Sequence, residues 1–160
     1  MKLKKGQAWG FDLMIAISIF MIGIVGFYLF SLNSPSEGRD TLDSLFYDGN
    51  LIADSLLSEG YPENWDSNSV INIGIVNDNR INETKLQRLY DLTISDYSKT
   101  KNLFNTRFNY YFNFSRPIIM GGVYVEFIGQ KDLNPDNIIK IQRFVIFENN
   151  PVTLNVYVWS

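Results

Sequence analysis

Two hydrophobic patterns divide the chain. From Leu13 to Leu32 (LMIAISIFMIGIVGFYLFSL) nearly every position is apolar, and no charge occurs before Glu37. A helix laid on a core keeps a polar face; this run has none. At ~1.5 Å per residue it covers about 30 Å, the thickness of a hydrocarbon core. The pattern predicts a hydrophobic helix within residues 7–34 that crosses a membrane.

Beyond it the pattern becomes periodic. Asn33–Gly38 holds Pro35 and Gly38 and predicts a break. Leu42, Leu45, Phe46, Ile52 and Leu56 fall at helical spacing, which predicts a helix over Asp40–Ser58 closed by Gly60. Tyr61–Trp65 reads as a turn, Val70–Val76 as a strand, and Asn77–Asn79 as a turn. Helices are expected over Glu83–Leu92 and Asp96–Phe104, with Leu86, Leu89, Tyr90 and Leu103 turned inward. The last third alternates with period two. Phe108, Tyr110, Phe112 and Phe114 share one face; Val123, Val125 and Phe127 share another. Asn137–Glu148 is a strand and Asn149–Pro151 a turn. Val152, Leu154, Val156 and Val158 then alternate with Thr153, Asn155, Tyr157 and Trp159. Four such runs predict an antiparallel sheet with one packed and one wet face. The expected class is α+β: an N-terminal transmembrane or filament-core helix, then a domain over 35–160 of amphipathic helices packed on a C-terminal antiparallel sheet.

Charge gives the helix a direction. Lys2, Lys4 and Lys5 precede it and no cation follows until Arg39. The positive-inside rule puts the N-terminus in the cytoplasm and the chain from Arg39 outside, with Tyr28 as an anchor near the outer end. The formal charge is −3, from 14 Lys and Arg against 17 Asp and Glu. Loss of the three leading lysines would leave an acidic product whose arginines are dispersed. Nucleic acid, which needs a clustered basic face, is not an expected partner.

Candidate chemistry is sparse. With neither Cys nor His, there is no disulfide, no thiolate metal site and no imidazole base. Glu126, Asp132, Asp136 and Glu148 show no spacing that selects a general acid and base. The expectation is no enzyme and no cofactor. Asn82-Glu83-Thr84 and Asn113-Phe114-Ser115 are N-glycosylation sequons, and Asn82 also suits a helix N-cap. Tyr111, Tyr124, Tyr157 and Trp159 fall on the wet side of the strands. They would form a contact surface or lie beneath a second layer of helix.

The step Lys4-Lys5-Gly6-Gln7 precedes the apolar run, and no small-x-small cleavage site follows it. This start resembles the class III prepilin leader of archaeal type IV pilins and pilin-like proteins, over about the first 32 residues. The resemblance implies that a membrane prepilin peptidase cuts between Gly6 and Gln7, discards the basic leader 1–6, and leaves the apolar helix on the mature subunit. A second junction, Gly10–Phe11, resembles that of bacterial pilins. The family carries Glu at the fifth mature position; here Phe11 stands there and Asp12 is sixth, or second if the cut follows Gly10. In such assemblies the new α-ammonium of a neighbour pairs with the acid and sets register, the role implied for Asp12. The other reading of Asp12 is an interfacial acid at a helix N-terminus. Gly23 and Gly26 would allow close approach of sister helices. The implied partners are other copies of the chain, membrane lipid before assembly, the peptidase and the pilus assembly platform. The rival is a non-polymerising, single-pass anchored domain or minor pseudopilin.

Overall fold

The computed structural model describes Lys5–Leu32 and Glu37–Ser160, with side chains from Trp9 to Leu32 and from Arg39 onward. Lys2 and Lys4 of the leader, and the break at Pro35, lie outside the described residues. The chain divides into two compact units, Met1–Gly38 and Arg39–Ser160.

Helix α1 runs Lys5–Leu32. It contains the predicted apolar segment and continues past it toward the N-terminus. Apolar residues occupy all its faces, and its polar Ser18 turns its hydroxyl back to the Met14 carbonyl (2.8 Å).

Helix α2 spans Glu37–Leu56. It starts three residues before the expected Asp40 and ends two before Ser58. Its buried stripe is Leu45, Gly49, Ile52, Ala53 and Leu56. Leu42 and Phe46, expected on that stripe, are 42 and 58 % exposed. The stripe passes through Gly49 because the helix presses on the sheet there. A Cβ at Gly49 would stand 2.8 Å from Ile139 Cδ1 and 3.0 Å from Ile141 Cγ1. Glycine costs a helix interior about 1 kcal/mol relative to alanine, and this contact is where that cost goes.

Short strands β1 (Val76–Asn77) and β2 (Arg80–Ile81) precede α3 (Glu83–Ser95) and α4 (Tyr97–Leu103). The strands β3 (Asn109–Phe114), β4 (Ile118–Met120), β5 (Val123–Val125), β6 (Ile128–Gly129), β7 (Ile138–Phe147) and β8 (Asn150–Trp159) follow. One sheet has the order β1-β2-β7-β8-β3-β6, and β4-β5 form a separate hairpin. The sheet is mixed, not antiparallel throughout as expected, because β2 lies parallel to β7 at Arg80 and Ile146. Val123 and Val125 belong to the separate hairpin, and Val123 is exposed. The β7–β8 turn is Glu148-Asn149, both at positive φ (49° and 61°), the geometry that lets a two-residue turn follow strand twist. Pro151, expected in that turn, instead lies in β8 opposite Ile146.

Val70–Val76 is not the expected strand; only Val76 joins one. Its backbone is satisfied elsewhere. Ile75 N–H donates to Leu56 O and Val76 N–H to Ser58 O, both at the end of α2. Trp65, fully buried, donates from Nε1 to Gly74 O (2.9 Å). Three cations of α3 and α4 hold the same region by its carbonyls. Lys85 Nζ reaches Glu59 O (2.7 Å), Arg88 Nη1 reaches Trp65 O (2.7 Å), and Lys99 Nζ reaches Ser67 O (2.6 Å). These charge-assisted, half-buried contacts hold the loop that precedes Val70.

Tyrosines lock α4 to β3. Tyr110 Oη donates to Thr100 Oγ1 (2.6 Å), while Tyr97 Oη accepts from Tyr110 N–H (2.8 Å) and donates to Tyr110 O (3.1 Å). Their rings stack with centroids 5.2 Å apart, and Phe104 meets Tyr110 edge-on. Burial pushes the Tyr97 hydroxyl up to about 12, and burial raises Tyr110 as well. Both groups stay protonated in the folded chain at pH values where the unfolded chain ionises. Their stabilisation is therefore complete below about pH 10 and is lost as pH rises through about 12. The expected outcome is a fall in thermal midpoint across that window, followed by circular dichroism on the full chain in detergent. Tyr97→Phe should flatten the fall, and an unchanged slope in that variant would show the loss to arise elsewhere.

Candidate functional site

Helix α1 is the first candidate. Trp9–Leu32 is 24 residues long, apolar enough to cross a membrane, and none of it is buried. Ile19, Phe20, Met21 and Ile22 point to four quadrants at ~100° per residue, and they are 65, 67, 56 and 72 % exposed. No face is covered or polar. Gly6, Gln7, Gly10 and Phe11, the residues of both junctions, lie within α1. Asp12 is exposed beside Trp9 and Leu13. Among the described residues no cation pairs with it. A Cβ at Gly23 or Gly26 would meet nothing within 4 Å, so both leave open notches on the helix.

The sequon asparagines do structural work in the other unit. Asn82 is the N-cap of α3, with φ −92° and ψ 112°, and its Oδ1 accepts from Lys85 N–H (3.1 Å). Asn113 on β3 belongs to a row across three strands. Gln142 Nε2 donates to Asn155 Oδ1 (2.8 Å), and Asn155 Nδ2 donates to Asn113 Oδ1 (3.0 Å). Asn113↔Asn155 and Gln142↔Asn155 are register partners. The alternation in the sequence puts Asn155 on the outer face, but only the pairing shows that three amides meet there.

A second row is aromatic. Tyr157 stacks on Tyr111 with centroids 4.5 Å apart and planes 7° from parallel. Lys140 Nζ stands 5.5 Å over the Tyr157 ring. Phe127 meets Tyr111 edge-on at 5.9 Å, and Lys131 lies 5.7 Å from the Phe127 centroid. Tyr111, expected among exposed aromatics, is only 8 % exposed; burial first, then neighbouring Tyr157, raises its hydroxyl. The ring faces are taken by one another and by lysines, so this row stiffens the sheet and offers no open stacking platform. Trp159 donates from Nε1 to Gln130 O (2.9 Å). Tyr124 lies apart on β5 and is 60 % exposed.

The carboxylates do not converge. Glu148 faces Arg116 (3.7 Å), Glu126 faces Lys131 (3.9 Å), and Asp132 Oδ1 accepts from Asn134 N–H (3.1 Å). Asp136 is held through its backbone, whose N–H donates to Ser160 O. An open cleft of about 800 Å³ lies between α2 and the α4–β3 connection, lined by Asp43, Tyr47, Asp48, Asn105 and Thr106 among others. Its Asp48 is engaged, accepting from Thr106 Oγ1 (2.7 Å). Among the described residues no three acidic side chains are grouped to hold a metal.

The cap geometry sets a stability test separate from any glycan. Asn82→Ala should lower unfolding free energy by about 1 kcal/mol, and Asn82→Asp, which keeps the acceptor, should be close to neutral. Equal losses from both substitutions in a denaturant titration would contradict the capping role. Comparison with protein-family models, with curated proteins and with solved structures finds no match to this chain.

Proposed function

We propose that the chain is a structural subunit of a cell-surface filament of the archaeal type IV pilin kind, held in the membrane and then assembled through α1. One observation carries the reading: α1 is apolar on every side and wholly exposed. Seventeen large apolar side chains of α1 stand open. Removing such a side chain from water is worth about 1.5–3 kcal/mol, so the total exceeds the ~5–15 kcal/mol that holds a whole domain folded. A helix of this kind belongs first in lipid and then in a bundle of sister helices, the two apolar surroundings open to it. The order of parts supports the same reading. A basic start with the Gly6-Gln7 step leads into the helix, and a separate α+β unit follows it.

Asp12 deepens the reading. A carboxylate at the edge of a hydrocarbon helix is costly without a partner, and the α-ammonium exposed by processing would supply one on a neighbouring copy. The notches at Gly23 and Gly26 let backbones approach within the bundle. An anchored domain that never polymerises uses the same helix but keeps its leader, which makes processing the point of difference.

Mass spectrometry of the protein from its native membrane tests the reading. The mature N-terminus is expected at Gln7, or at Phe11 by the second junction. An intact Met1, or loss of the whole apolar segment, would contradict it. Asp12→Ala should insert into the membrane normally and reduce filament yield severalfold in electron micrographs; normal filaments would remove the pairing role.

A further inference from the structure

The β1 end of the sheet is tied back to helix. Val76 of β1 is tied to the end of α2 through Ser58 O. The long strand β7 is different. Its partner on the outer side, β2, meets it at Arg80 and Ile146, so among the described residues no strand lies along its outward edge from Ile138 to Phe144.

The direction of the free backbone groups follows from the turn. Phe147 and Asn150 close a two-residue hairpin, and in such hairpins the closing pair exchanges both hydrogen bonds. The odd-numbered residues of β7 therefore bond to β8. Ile138, Lys140, Gln142 and Phe144 turn their N–H and C=O groups outward. Arg143 Nη1 donates to Gln142 O at 3.3 Å, a long contact consistent with a carbonyl that faces outward. The same even-numbered residues carry the exposed side chains of the strand, with Ile138 44 % and Phe144 86 % exposed.

We propose that this edge pairs with the β7 edge of a second copy of the chain, antiparallel about a two-fold axis at Ile141, to make one continuous sheet. The register is selected by the side chains. About Ile141, Phe144 of each copy lies opposite Ile138 of the other, and Lys140 lies opposite Gln142. The two exposed apolar groups cover each other twice, and no like charges meet. A shift to a two-fold at Lys140 would set Lys140 against Lys140 and Phe144 against Asp136. A shift to Gln142 would require Ile146, whose outward groups are already taken by β2. Of these three registers, the one about Ile141 satisfies both the edge and the charges. An exposed edge strand with apolar side chains and a single lysine is a template for such pairing. Two-fold pairing closes at two copies, so the contact joins subunits in pairs and stands apart from packing through α1. It does not rest on the filament reading, since an anchored domain that never polymerises would pair in the same way.

The test uses the full chain in density-matched detergent, with association followed by sedimentation equilibrium. Gln142→Lys places a lysine opposite Lys140 at two symmetric positions and should weaken association about tenfold. Lys140→Glu combined with Gln142→Lys restores opposite charges and should recover it. The chain has no cysteine, so Lys140→Cys and Gln142→Cys proteins, mixed and oxidised, report register directly. Disulfide heterodimers should exceed the homodimers of either protein by well over the twofold that random mixing gives. A wild-type chain that stays monomeric, Gln142→Lys associating as the wild type does, or failure of the charge exchange to restore pairing would overturn the proposal. Disulfide pairs formed in the statistical 1:2:1 ratio would overturn the register.

Discussion

Water sets the terms for the N-terminal helix. The unit from Arg39 onward can satisfy its own backbone and bury its own core, whereas α1 presents apolar side chains in every direction. Neither capping nor ion pairing can offset that exposure, because the cost scales with area and the helix has no polar side to turn outward. The rest of the chain's design follows from where α1 goes. On the proposed reading a membrane satisfies it first, and a bundle of like helices later. The acid at Asp12 and the open positions at Gly23 and Gly26 acquire significance only in such surroundings.

The second unit shows how a modest domain is fixed without disulfides. Helix α2 approaches the sheet so closely that a methyl group at Gly49 would require the Ile139 side chain to shift. The loop after α2 is held by Lys85, Arg88 and Lys99 through backbone carbonyls, and its Trp65 fills the space beneath. The outer face of the sheet is tied by the Gln142–Asn155–Asn113 row and by the stacked tyrosines. The cohesion is local and polar on one face, apolar on the other.

Much of this was legible in the sequence, for identifiable reasons. The apolar run is continuous, so α1 needed no period to be found. Strand β8 alternates from Val152 to Trp159 in sequence and β7 is a long, largely apolar run between turn residues, and their expected bounds differ from the observed ones by one or two residues. Strand β2, two residues long, carries no period, so its parallel pairing with β7 left no trace in the pattern. Val70–Val76 alternates like a strand, yet its N–H groups bond to Asp66 and Tyr61 of the preceding loop and to Leu56 and Ser58 around the end of α2, a choice made in space. Tyr111 looked exposed because alternation gives the face of a residue and is silent on what stands beside it. Phe46 fits a helical stripe drawn through Leu42, whereas the stripe that is buried runs through Gly49, a residue no hydrophobic pattern would mark.

Whether α1 resides in an apolar phase is the claim on which the others rest, and membrane fractionation addresses it most directly. The full chain and a chain beginning at Arg39 would be produced in the same cells, and their membranes washed with high salt and alkaline carbonate. The full chain is expected to remain with the lipid, and the shortened chain to appear in the soluble fraction. Recovery of the full chain as a monodisperse, water-soluble protein without detergent would contradict the account.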